Sequence, residues 1–255
     1  MKKRIGLIGA GHLGQWLVAG LAEADPELQF FLANRSEDQA GAFASRYGCF
    51  FTLKNQEAVD RSEIIILATR PDQVAEALNG VTFMPEQIVV SVAAGVALET
   101  LKPLVHPAKA ARALPISCVA VNKSPVIVYP EDLRVEELFS LVGQVHPLPD
   151  ESTFSPGTAL VGAFYAWMFL LMDEAAKWTA HNGIHADKAR KLVIETIQGA
   201  CAMAEAQPDT SFGDIWKTLA TPGGISEQGA RILSAGGGIK TWSEALDAIH
   251  HRMKG

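Results

Sequence analysis

Three short stretches of this chain carry residue types in spacings that could do chemistry. The first is RIGLIGAGHLG, from Arg4 to Gly14, where an apolar run passes into a glycine triplet, Gly9, Gly11 and Gly14. Glycines so placed allow a tight strand-to-helix turn, close approach of the backbone to a pyrophosphate, and close packing of helix on strand. Phosphate would then sit on the free N–H groups of a helix beginning at His12 and Leu13. The glycine pattern alone is a weak signal, but its surroundings strengthen it. Ile5, Leu7 and Ile8 suit a buried strand, Leu13 to Glu23 is amphipathic, and Leu28 to Ala33 supplies a second strand at the distance of a strand–helix–strand unit.

The second stretch is Asn34-Arg35-Ser36, at the end of that second strand. A carboxylate here would accept the ribose 2′-hydroxyl of NAD, but none occurs before Glu37. A guanidinium between two small polar groups suits a dianionic 2′-phosphate, so NADP is the expected nucleotide. The plainer alternative makes Arg35 a solvated loop cation and Ser36 the cap of the next helix.

The third stretch is LATPGGISEQG, from Leu219 to Gly229. Successive backbone N–H groups at Gly223, Gly224, Ile225 and Ser226, opening a helix, could hold a carboxylate without any cationic side chain. A simple helix start, with Ser226 and Glu227 satisfying the first turn, explains the same residues equally well.

These segments need elements to position them. Strand patterns occur at Arg4 to Ile8, Leu28 to Ala33, Ile64 to Ala68, Ile88 to Ser91, around Lys109 to Leu114, and at Val126 to Tyr129. Alternating with helices, they predict a doubly wound α/β domain with a mainly parallel sheet. The pattern changes near Pro147 to Pro156, after which the chain reads as helical throughout, with breaks near Asn182-Gly183, Gln207-Pro208 and Pro222-Gly223-Gly224. Ala159 to Met172 is apolar on every side, yet Asp173 and Glu174 end it short of the roughly 20 residues a bilayer span needs. A helix apolar all round must be covered on all faces, which about a hundred residues can hardly do alone, so a homodimer sharing helices is expected. A central helix in a monomeric bundle is the alternative.

Composition narrows the class further. The chain has 255 residues, 48% of them apolar, and a formal net charge of −6, enough for about two modest domains with a real core. Its basic residues are scattered, and the cluster Lys2-Lys3-Arg4 leads straight into a strand, so neither nucleic acid nor a secretory leader is indicated. Cys49, Cys118 and Cys201 have no paired spacing and the seven histidines form no ligand set. No disulfide framework and no catalytic metal are therefore expected, and a reducing cytoplasm fits. Cys118 reads as a small buried hydrophobe.

The order of segments resembles the pyrroline-5-carboxylate reductase family over nearly the whole chain. Arg4 to Gly14 resembles its nucleotide loop, and IIILATRP, ending in Ala68, Thr69, Arg70 and Pro71, its third contact strand. VVSVAAG, ending in Ala93, Ala94 and Gly95, resembles the strand beside the nicotinamide. Thr158-Ala159-Leu160 with Gly162 resembles the TALSGSGP entry to its dimer helix, and Thr221-Pro222-Gly223-Gly224 its PGGTT substrate loop.

The resemblance implies a Rossmann-type NADP-binding domain over residues 1–152 and an all-α dimerisation and substrate domain over 153–255. It implies NADPH-dependent reduction of a C=N bond, with substrate carboxylate on Gly223 to Ser226 and Ser226 as the catalytic hydrogen-bonding group. Glu227 would oppose the helix dipole or pair with a cationic iminium. The departures cluster around the substrate: Leu114-Pro115-Ile116 replaces an Asn-bearing turn, Val161-Gly162-Ala163 replaces Ser-Gly-Ser, and Ile225-Ser226 replaces Thr-Thr. They leave open a reductase of another imine or keto compound, or a non-catalytic NADP-binding protein.

Overall fold

The computed structural model describes residues 3–254, apart from the side chains of Glu37, Asp38, Gln39 and Lys254. Met1, Lys2 and Gly255, at the ends of the two expected domains, and the Glu37 carboxylate lie outside what is described. Chain contacts divide it into two units, one running to Gly162 and taking back the stretch from His250, the other Ala163–Ile249.

The first unit is built on an eight-stranded sheet: β1 (Arg4–Ile8), β2 (Gln29–Ala33), β3 (Phe50–Thr52), β4 (Ile64–Leu67), β5 (Ile88–Ser91), β6 (Lys109–Leu114), β7 (Ser124–Tyr129) and β8 (Gly143–Pro147). Their order across the sheet is β3-β2-β1-β4-β5-β6-β7-β8. All neighbours are parallel except β6 and β7. β4 and β5 read Ile-Ile-Ile-Leu and Ile-Val-Val-Ser and every residue in them is buried, as expected of parallel strands covered on both faces. The expected α/β doubly wound, mainly parallel architecture is what forms, with β3 and β8 added at its two edges.

The strand order reverses at β1, which lies between β2 and β4. Such a switch point opens a crevice beyond the carboxyl ends of the strands. Over it starts α1 (His12–Ala24), which buries Gly14, Leu17, Val18, Gly20 and Leu21 on the core. It stops at Asp25 (φ −140°, ψ 96°), because the following Pro26 disfavours helical backbone in the residue before it. At Gly20 the helix touches the turn Ser117–Val121, and a Cβ built there would run into the Val119 carbonyl. Gly20→Ala is expected to lower stability by about 1–3 kcal/mol through overpacking, outweighing the helix propensity gained. A reduced urea midpoint checks it, and an unchanged or raised midpoint contradicts it.

The first unit also carries α2 (Glu37–Arg46), α3 (Asn55–Asp60), α4 (Val74–Leu78), α5 (Leu98–Val105), α6 (Leu133–Ser140) and α7 (Phe154–Thr158), and the second unit is helical: α8 (Tyr165–His181), α9 (Ala186–Glu205), α10 (Phe212–Leu219), α11 (Ile225–Ala235) and most of α12 (Gly238–Lys254). Its apolar side chains stay largely uncovered by this chain: Leu170 is 70% exposed and Phe212 81%, and Phe169, Leu171, Trp178 and Ile232 are exposed too. The expectation drawn from the length of Ala159 to Met172 needs correction. Helical structure runs from Glu151 to His181, 31 residues, long and apolar enough by length and composition to cross a membrane. Length therefore does not decide what covers it.

Cys49, Cys118 and Cys201 form no disulfide. Burial pushes the Cys49 thiol up to about 11, which keeps it protonated and inert near neutral pH. Cys118 is half-buried rather than buried, with its Sγ 3.4 Å from the Lys123 carbonyl oxygen.

Candidate nucleotide and substrate sites

At the switch point, a cleft of about 240 Å³ is lined by Ile8 through Gly11, Ala33 to Arg35, and Ala68 to Arg70, with Asn55, Gln73 and Ala77 closing it. The glycines differ in what demands them. Gly9 has φ +96°, and a Cβ there would sit 2.9 Å from the Ala68 carbonyl oxygen. A Cβ at Gly14 would sit 2.7 Å from the Gly9 carbonyl oxygen. At Gly11, by contrast, φ is an ordinary −67° and a Cβ would meet nothing within 4 Å. Neither the backbone nor any neighbouring atom of this chain needs a glycine at position 11, and the space over it is open.

The cradle's hydrogen bonds point the same way. The Gly9 amide donates to the Ala33 carbonyl at 2.9 Å and the Ala10 amide to Asn34 Oδ1 at 3.2 Å, while Asn34 Nδ2 donates to the Ser36 carbonyl at 3.0 Å. Asn34 thus ties the β1 loop to the β2 loop. Gly11, at the N-cap, supplies no side chain to the first turn of α1, which leaves that turn open to an anion. The buried Thr69 Oγ1 has no protein partner, and Thr69 lines the cleft. Open space over Gly11, an uncapped helix start and an orphaned hydroxyl together fit a dinucleotide.

On the other lip, Arg35 reaches Glu76, Nη2 to Oε2 2.9 Å, with both side chains mostly exposed. Ser36 stands at the N-cap of α2 (Glu37–Arg46), with no capping hydrogen bond from its side chain among the described residues. The remaining nucleotide residues divide. Leu13 packs on the core, His12 is exposed with its ring 5.9 Å from that of Trp16, and Pro71 opens the short turn Pro71–Gln73. Ala93 is buried, while Gly95, φ +82°, lines a separate cavity of about 280 Å³ with Arg112, Glu151, Ser155 and Thr158.

Sequence reasoning missed Asn55, Gln73 and Ala77, whose place in the cleft depends on tertiary packing. It also missed Arg112, whose Nη1 is 2.7 Å from Glu151 Oε1 and whose guanidinium lies over the Phe154 ring at 4.1 Å. Glu151 Oε1 accepts as well from the Leu98 amide at 2.6 Å, so the pair binds the carboxyl end of β6 to the loop after β5. Of the departures around the substrate, Val161 packs with Leu114, Ile127 and Phe154, so its apolar character serves the core.

In the helical unit, Gly223 has φ +74° and Gly224 is the N-cap of α11. The Gly224 amide donates to the Thr221 carbonyl at 2.8 Å and the Gly223 amide to Glu227 Oε2 at 2.7 Å. Ile225 is 89% exposed, and Ser226 and Glu227 are exposed beside it. Two of the turn's four amides, those of Gly223 and Gly224, are therefore engaged within the chain, and the first of them holds a carboxylate.

Comparison with known proteins matches two family models. Residues 151–255 match pyrroline-5-carboxylate reductase dimerisation, and residues 4–95 match NADP oxidoreductase coenzyme F420-dependent. The pyrroline-5-carboxylate reductase of Pseudomonas aeruginosa is 26% identical over 98% of this chain and 95% of its own length. The enzyme of that name from Escherichia coli is also 26% identical, over 93% and 92%. The solved structure of Plasmodium falciparum pyrroline carboxylate reductase with NADP bound superposes with a TM-score of 0.89 at 21% identity, covering 100% of this chain and 98% of that one. That of 1-pyrroline-5-carboxylate reductase from Streptococcus pyogenes gives 0.89 at 24% identity, covering 98% of each. A nucleotide-type cleft at the switch point, a glycine-turn helix start in the C-terminal half and similarity along almost the entire length converge: the chain is similar throughout to pyrroline-5-carboxylate reductases, and its C-terminal half matches their dimerisation domain.

Proposed function

We propose that this protein reduces the C=N bond of 1-pyrroline-5-carboxylate to give proline, using NADPH, as a step of proline biosynthesis in the cytoplasm. The observation that carries the reading is the cleft over Gly11, open beside an uncapped helix start and lined by Asn34 and Arg35. Nearly full-length similarity to reductases of that name supports the substrate.

When bound, the reduced nicotinamide supplies a hydride to the imine carbon, and one proton ends on the ring nitrogen. The chain's own work is binding and orientation. Amides of Gly11, His12, Leu13 and Gly14 would hold the diphosphate, Arg35 and Ser36 the 2′-phosphate, and Thr69 to Pro71 the nucleotide's near side. Ala93, Ala94 and Gly95 would flank the nicotinamide. The amides of Gly223 to Ser226 would hold the substrate carboxylate, with the Ser226 hydroxyl hydrogen-bonding the imine or that carboxylate.

Residues 1–152 would then form the nucleotide domain and 153–255 the dimerisation and substrate domain. A second copy would cover the apolar faces carrying Phe169, Leu170 and Leu171, in place of lipid. Purified protein is expected to oxidise NADPH when given 1-pyrroline-5-carboxylate. Turnover no higher than that of a Gly11→Asp control would overturn this function.

A further inference from the structure

The turn Thr221-Pro222-Gly223-Gly224 is already occupied by an anion of the chain's own. With φ +74°, Gly223 directs its amide to Glu227 Oε2 at 2.7 Å, one helical turn further on. The Gly224 amide is taken by the Thr221 carbonyl at 2.8 Å, and the Gln228 amide closes the first turn of α11 onto the Gly224 carbonyl at 3.1 Å. Of the four amides assigned to the substrate carboxylate, two are therefore engaged internally, and one of those two by a group of the same chemistry as the ligand.

We infer that Glu227 is a specificity-determining residue: its carboxylate competes with that of the substrate for the Gly223 amide, disfavouring carboxylate-bearing imines relative to the same ring without a carboxylate. This rests on the function proposed above. Two carboxylates cannot share one amide, and a second negative charge beside the first is repelled. Glu227 is exposed, so it can leave the turn, but a substrate carboxylate binds there only by displacing it. A cyclic imine lacking the carboxylate meets no such competition.

The test compares the intact protein with Glu227→Gln, which keeps the side chain's length and an acceptor oxygen but removes the charge. With NADPH saturating, KM for 1-pyrroline-5-carboxylate is expected to fall by roughly two- to fivefold, the range of a charge interaction at an exposed helix start. KM for 1-pyrroline should hold, and kcat should change less than KM for the carboxylate substrate. An unchanged or raised KM for 1-pyrroline-5-carboxylate, or an equal fall for both imines, overturns the inference and makes Glu227 a helix cap alone.

Calorimetric titration of tetrahydrofuran-2-carboxylate into NADP-containing protein reads the same competition without turnover. Glu227→Gln is expected to bind this unreactive carboxylate roughly two- to fivefold more tightly. If neither imine is reduced, the proposed function fails while the titration still decides the role of Glu227. No tighter binding by the variant, including no binding by either form, overturns it.

Discussion

Gly11→Asp is expected to abolish NADPH binding while leaving the protein folded. A Cβ at position 11 meets no protein atom within 4 Å and φ there is −67°, so the substitution introduces neither clash nor backbone strain. What it does introduce is a carboxylate in the space left for a diphosphate. At an effective dielectric of about 20, two like charges about 4 Å apart repel by about 4 kcal/mol. That corresponds to roughly three orders of magnitude in affinity. Calorimetry should show NADPH binding lost, with a urea midpoint close to that of the parent protein. Retained affinity would remove the diphosphate from this turn, and with it the functional reading.

Arg35→Ala should weaken NADPH far more than NADH, since only NADPH carries the 2′-phosphate. Hydrogen bonds to charged groups are worth about 1.5–3 kcal/mol. Arg35 is mostly exposed and already paired with Glu76, so solvent screening and partner exchange reduce the net loss. The expected effect is about a tenfold rise in Kd for NADPH. For NADH the change should be less than about twofold, because no direct contact is lost. Equal losses for both coenzymes would mean that Arg35 acts on the fold of the lip and not on the phosphate. Salt offers a second readout: the NADPH preference should shrink as ionic strength rises.

Some elements were legible because their signal is local. The apolar runs of β4 and β5, the glycines at 9, 11 and 14 and the amphipathic run from Leu13 to Glu23 each follow from a few adjacent side chains and their backbone preferences. Others were not. β3, Phe50–Thr52, is three residues long and forms because its backbone extends the edge beside β2. β8, Gly143–Pro147, is not among the strand patterns of the sequence: it has Gly143 at its start, Pro147 at its end and no apolar run between them. It is a strand because its backbone pairs with β7 from Ser124 to Val128. Gly143 itself is required there, since a Cβ would collide with the Ser124 backbone.

The sequence by itself determined the residue types on offer: a glycine-rich strand-to-helix turn, a cation just after the second strand, an amide-rich turn in the helical half, and strongly apolar helices. These are properties of residue type and near-neighbour spacing, to which φ preferences and period are sensitive. Only the tertiary structure decided that Gly11 faces open space while Gly9 and Gly14 are packed, that Asn34 ties two loops together, that Arg112 and Glu151 pair across 39 residues, and that Glu227 sits on the Gly223 amide. Each depends on where a particular atom stands in space, and spacing along the chain constrains that only within about a helical turn.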